Sequence, residues 1–233
     1  MDVSQFFNEL DERIRKYDLL CHPFYQAWSS GKLTNEDLRE YAQDYYPHVQ
    51  AFPTYLAEFG VRLPDGEMRR AVLANMCDEK GGEDLFGEPA RSHAELWLDF
   101  VEGMGAPRSR RGREAAPAMK RLMLSFHHVA AEGMPEEALA AFYAYESQVP
   151  RIAEAKEEGL RSLYGADART YGYFTLHKTA DTYHSNVWKQ QLGKAVNGNP
   201  AASQRALDAA EAAAKALWQT LDGIEAERMA RAA

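Results

Sequence analysis

The chain has 233 residues, 45% of them hydrophobic, with a formal net charge of −8; that is enough for one sizeable core, so residues 1–233 are expected to form a single domain, and the charge argues against a nucleic-acid backbone or an anionic membrane as partner. Two cysteines, Cys21 and Cys77, make no disulfide framework and fit a reducing cytoplasm. The N-terminus opens on an acidic, amphipathic pattern and no window approaches about 18 uninterrupted apolar residues, so neither an export signal nor a membrane span is expected.

From Gln5 the residues Phe6, Phe7, Leu10, Ile14 and Tyr17 recur at helical spacing. This helix should end near His22-Pro23, and a short one from Pro23 to Trp28 should stop at Ser29-Ser30-Gly31. Thr34 with Asp37 forms a capping arrangement that opens a long aromatic run through Tyr41, Tyr45, Tyr46, Phe52, Tyr55 and Phe59, with bends expected where Pro47 and Pro53 lack donors. After a turn at Pro64-Asp65-Gly66, Glu67 to about Lys80 reads as helix, ended by Gly81-Gly82. Pro89 suits the first turn of a helix carrying His93, Leu96, Trp97 and Phe100. The basic cluster Arg108 to Arg113 reads as a solvated inter-helix loop, and another helix is expected from about Glu114 to Glu132. Pro135 to about Tyr164 is helical in composition, yet Pro150 has no N–H for the carbonyl of Glu146, which predicts a bend at that carboxylate. A helix from about Thr170 to Leu192, a turn at Asn197-Gly198-Asn199-Pro200 and an alanine-rich helix complete the chain. With no alternating β-branched run, the fold class is all-α, a bundle of seven to eight helices.

The chemistry concentrates in HKTADTYH, which places His177, Asp181 and His184 at positions i, i+4 and i+7. At about 100° per residue they fall within roughly 60° around the helix axis. The ends lie about two turns apart, so the spacing favours two ions with Asp181 between them over one ion, and the competing reading is a solvated polar face or a buried histidine satisfied by a neighbouring carboxylate. Two nitrogens and one carboxylate are too few ligands for a pair. Glu146, in the apolar and aromatic segment ALAAFYAYESQVP, is costly to bury unpaired and is one further candidate. Glu79 and His93 bracket the glycine-rich loop, with Glu83, Asp84 and Glu88 as alternatives to Glu79. Three carboxylates and three imidazoles suit iron or manganese, and facing helices of a bundle are a known home for such a pair. His22, His48, His127 and His128 read as packing or surface residues.

The segments HPFYQAW, LREYAQDYYPHVQAFPTYL, NMCDEKGG, HAELW, YAYESQVPRIAEAKEEGL and YFTLHKTADTYH, in this order from about Phe6 to Trp188, resemble the CADD-like family of heme-oxygenase-like di-metal oxidases, distant relatives of PqqC and TenA. The resemblance implies a heme-oxygenase-like bundle of seven to eight helices without heme. It implies two non-heme ions, iron with iron or iron with manganese, held by Glu79, His93, Glu146, His177, Asp181 and His184. The chain departs from the family pattern in an insertion from Glu83 to about Pro89 and in Lys80, where a second acid is common. The activity implied is p-aminobenzoate synthesis for folate from dioxygen and an external reductant, with Tyr25 consumed as the source of the ring. Tyr41 matches a relay or second source and Lys156 an amino donor, while Tyr145 and Tyr173 stand beside ligands. The localisation implied is cytoplasmic, and a homodimer is compatible with it.

Two other functions compete. The same metal pair acting on an external small molecule predicts that Tyr25→Phe remains a multiple-turnover catalyst. A helical interaction protein engaging a death-domain-type partner predicts binding that survives loss of all six ligands. A TenA-like thiaminase needs an activated cysteine, and neither Cys21 nor Cys77 has that context.

Overall fold

The computed structural model describes residues 2–82, 90–109 and 114–232, and all regular structure within them is helical. The alternatives Glu83, Asp84 and Glu88, the insertion ending at Pro89, and most of the basic cluster lie outside the described residues. The helices are α1 (Val3–Arg15), α2 (Pro23–Ser29), α3 (Asn35–Arg62), α4 (Glu67–Lys80), α5 (His93–Gly103), α6 (Pro117–Ala131), α7 (Pro135–Glu146), α8 (Val149–Ser162), α9 (Gly172–Val196) and α10 (Pro200–Ala232). Ten segments result because the short α2 stands apart and because the long stretch after Pro135 is two helices. None is long and apolar enough to cross a membrane.

Local chemistry sets these ends. Thr34 and Asp37 form a reciprocal capping box at the start of α3, and Ser92 with Glu95 does the same for α5, so that α5 begins at His93. α3 runs unbroken through Pro47 and Pro53. A proline inside a helix costs about 3 kcal/mol, and burial of Val49, Phe52, Tyr55 and Leu56 along that helix offsets it at about 1.5–3 kcal/mol per large apolar side chain. At Pro150 the outcome differs from the expected bend. α7 ends at Glu146, the N–H groups of Ser147 and Gln148 bond back to Tyr143 and Tyr145, and α8 starts afresh with Pro150 in its first turn.

α7 lies at the centre. Every residue from Ala138 to Glu146 is buried, and four of them are alanines. It packs against α9 on one side and the alanine-rich α10 on another, where Ala206, Ala210, Ala213 and Ala214 are buried and let the helices approach closely. One hydrophobic cluster links all of these helices.

Candidate metal centre

His177, Asp181 and His184 are only 3%, 2% and 3% exposed, which excludes a solvated polar face. α9 presents them inward, where they meet Glu79 from the last turn of α4, His93 from the first residue of α5 and Glu146 from the last residue of α7. These three partners are at helix ends. The α4-to-α5 approach depends on Gly81: its φ is +70°, and a Cβ there would lie 2.3 Å from the Ala90 carbonyl oxygen and 2.6 Å from the Ser92 nitrogen. No other residue fits a positive φ with backbone so close.

The donor atoms form two groups, Glu79 with His93 and His177, and Glu79 with Glu146, Asp181 and His184; within each group they lie within 4.8 Å of one another. Spacing along α9 gave Asp181 the central position. The residue common to both groups is instead Glu79, because α4 delivers its carboxylate between the two α9 histidines, while the imidazole of His93 meets that of His177 with ring centroids 4.5 Å apart.

The electrostatics of the six residues suit a cation. His93 Nδ1 lies 2.9 Å from Glu79 Oε2, yet it and His184 Nδ1 are buried without hydrogen-bond partners. Burial and the nearby Asp181 push the Glu146 carboxyl well above its ordinary range. Burial opposes the charged form of His184, but Asp181, Glu146 and Glu79 outweigh it and push its pKa up to about 9. Burial likewise opposes the ions of Glu79 and His93, and their mutual attraction overrides it, holding the carboxyl below and the imidazole above their usual values. His177 is lowered by burial. Three carboxylates and three imidazoles buried together fit one or two divalent ions with a nitrogen and oxygen shell, the shell of iron or manganese.

The groups around these six residues hold them in place. His177 Nδ1 donates to the Tyr173 carbonyl at 2.7 Å, and its ring stacks on Tyr173. Trp188 Nε1 donates to Glu146 Oε2, Asn75 Nδ2 to Glu146 Oε1 at 3.3 Å, and His184 Nε2 faces Asp78 Oδ2 at 3.3 Å. Asn75, Asp78 and Trp188 were not singled out in the sequence. Trp188 continues the α9 stripe at i+11, and Asn75 stands one turn before Glu79, so the same periodicity contained both. His48 is buried among Tyr45, Phe126 and Tyr145 with neither ring nitrogen bonded, and burial drops its pKa to about 3.

A second polar cluster adjoins the first. Lys156 Nζ is 2.9 Å from the Tyr25 hydroxyl and also hydrogen-bonded to that of Tyr41, and the two hydroxyls are 3.0 Å apart. All three residues are buried. The break before Pro150 and the close seating of Gly159 under Trp28, where a Cβ would lie 2.8 Å from the indole, bring α8 to α2. Among the described residues no carboxylate faces Lys156, and burial drives its pKa far down, with Nζ against the faces of Tyr25 and Tyr41. A cavity of about 20 Å³ is lined by Tyr25, Lys156, Tyr45, Tyr145 and Tyr173. A second, of about 10 Å³, is lined by Glu79, Glu146, His177, Asp181 and again Tyr145 and Tyr173, which form the wall between the two.

Residues 39–218 match the family model described as iron-containing redox enzyme. The chain is 37% identical to a 4-aminobenzoate synthase of Nitrosomonas europaea, covering 96% of this chain and 92% of that one. It is 36% identical to a 4-aminobenzoate synthase of Chlamydia pneumoniae over 88% of this chain and 92% of that one. A solved structure from Shewanella denitrificans, a domain with a heme oxygenase-like fold, superposes with a TM-score of 0.80 over 98% of this chain and 94% of that one at 17% identity. The fold is therefore heme-oxygenase-like, and the chain belongs to the family of iron-containing redox enzymes.

Proposed function

We propose that this protein is a 4-aminobenzoate synthase whose six clustered ligands hold two non-heme ions, iron with iron or manganese, and whose substrate is its own Tyr25. When bound, the metal pair supplies oxidation by dioxygen, with electrons from an external reductant. Glu79, His93 and His177 would hold one ion, and Glu79, Glu146, Asp181 and His184 the other. Tyr145 and Tyr173 stand between the ligands and Tyr25 and connect the two by phenol-to-phenol contact, since the Tyr145 hydroxyl interacts with those of Tyr45 and Tyr173. Lys156, whose burial disfavours its charged form, is in place to take the phenolic proton of Tyr25 when an electron leaves the ring, and its nitrogen lies 4.3 Å from the centre of that ring. Tyr41 holds both.

The observation that carries this reading is spatial. An external aromatic substrate needs a cavity on the order of 150 Å³, whereas the space beside Tyr25 and Lys156 is about 20 Å³ and the ring already present there is Tyr25. The test is metal analysis with intact-protein mass spectrometry after reduction and exposure to oxygen. Loss of mass localised to Tyr25, with p-aminobenzoate formed once per chain and none from Tyr25→Phe, supports the proposal. Repeated turnover by Tyr25→Phe overturns it in favour of an external substrate.

A further inference from the structure

The two α9 histidines that face the centre are steadied differently, and the difference points to a residue outside the six ligands. His177 gives its Nδ1 proton to a backbone carbonyl, which leaves Nε2 for an ion. His184 is arranged the other way round: Nδ1 is buried, unpartnered and 3.5 Å from Asp181 Oδ1, while Nε2 faces Asp78 Oδ2 at 3.3 Å. We infer that Asp78 is a positioning residue for the half of the metal pair that contains His184; this rests on the metal-binding reading proposed above. Asp78 itself belongs to neither donor group and its side chain is 56% exposed, so it stands outside the buried cluster whose histidine it faces. A carboxylate accepting from Nε2 fixes the tautomer, leaves the Nδ1 lone pair aimed inward and raises the basicity of that nitrogen. Asp78 is also next to Glu79 in the chain, so one turn of α4 supplies a ligand to both ions and orients a ligand of one. The consequence is asymmetric: the ion beside His184 depends on an exposed side chain, and the ion beside His93 and His177 does not.

The experiment titrates the metal-free full-length protein with manganese(II) against a competing chelator, reading free ion by its paramagnetic resonance. Asp78→Ala should weaken one of the two binding events by about 10–100-fold and leave the other unchanged. Asp78→Asn, whose side-chain oxygen still accepts from Nε2, should recover most of the loss. In a His184→Gln background Asp78→Ala should add nothing, which a general loosening of α4 would not reproduce. Two unaltered binding events in Asp78→Ala, or an equal loss in the Ala and Asn variants, overturn the inference while the metal-pair reading stands. A wild-type protein that takes up no ion overturns both.

Discussion

The proposed chemistry requires a neutral Lys156, and that state has a thermodynamic consequence that can be measured without any product. In the unfolded chain this amine titrates near 10.4; in the fold, burial depresses it far below that. Between the two values the unfolded state binds one more proton than the folded state, so stability rises with pH by up to about 1.4 kcal/mol per unit, and this contribution levels off above the unfolded value. Lys156→Met keeps the length and packing of the side chain and removes the proton. Its direct losses are small. The two hydrogen bonds to Tyr25 and Tyr41 are worth about 1 kcal/mol each, and the hydroxyls, 3.0 Å apart, still bond each other. The variant should therefore be more stable than the wild type at neutral pH, and its advantage should shrink by up to about 1.4 kcal/mol for each unit as the pH climbs toward about 10. Urea unfolding of both metal-free proteins at several pH values below the tyrosine range gives this difference directly, with other titrating groups cancelling. A stability difference that does not change with pH would mean that Lys156 keeps its proton in the fold, and the amine could not act as proposed.

Three further outcomes follow from the geometry. Glu79→Gln should lose both ions, because both donor groups include that carboxylate, whereas His93→Ala should lose one; metal content per chain distinguishes them. Gly81→Ala puts a Cβ 2.3 Å from a carbonyl oxygen at a φ of +70°; it should destabilise the metal-free protein by about 1–3 kcal/mol and lower metal content at both sites by separating Glu79 from His93, measured by thermal unfolding and metal analysis. Asp99 is buried beneath Arg91, Arg108 and Arg169, and although burial opposes its charge, the three guanidinium groups override this and hold its carboxyl far below the usual range. Its stabilising contribution is present above about pH 3.9 and lost as pH falls toward the folded-state value. Asp99→Asn should accordingly lower stability at neutral pH by about 1–3 kcal/mol, discounted for the exposure of the arginines, and should flatten the acid limb of the unfolding profile.

Periodicity along single helices was what the sequence stated most clearly. The 3.6-residue repeat set the all-helical class and put His177, Asp181 and His184 on one face, and the capping pair Thr34 and Asp37 marked the start of α3. What periodicity does not contain is how one helix meets another. The distance from Glu79 to His93 depends on a single backbone torsion at Gly81. The contact of Lys156 with Tyr25 depends on whether Pro150 bends a helix or begins a new one, and the energy of one hydrogen-bonded turn decides between those. Asp181 looked central because it stands between two histidines on one face of α9. Once α4 is in place the carboxylate common to both donor groups is Glu79, whose position in the sequence, in the last turn of a helix just before two glycines, gave it no such prominence.

That placement bears on how the centre works. Four of the six candidate ligands sit on α7 and α9, which pack along each other in the middle of the molecule, and Glu146 is held from both sides by Trp188 and Asn75. Glu79 and His93, by contrast, stand at the facing ends of α4 and α5. Two thirds of the candidate ligands are thus on two helices packed along each other and one third on two helix ends. Metal bound by both sets would tie those ends to the core, so metal uptake should stiffen α4 and α5 more than α7 and α9. Amide exchange along these four helices, with and without manganese, reads that asymmetry; equal protection gained by all four would place the cluster on a uniformly preformed scaffold instead.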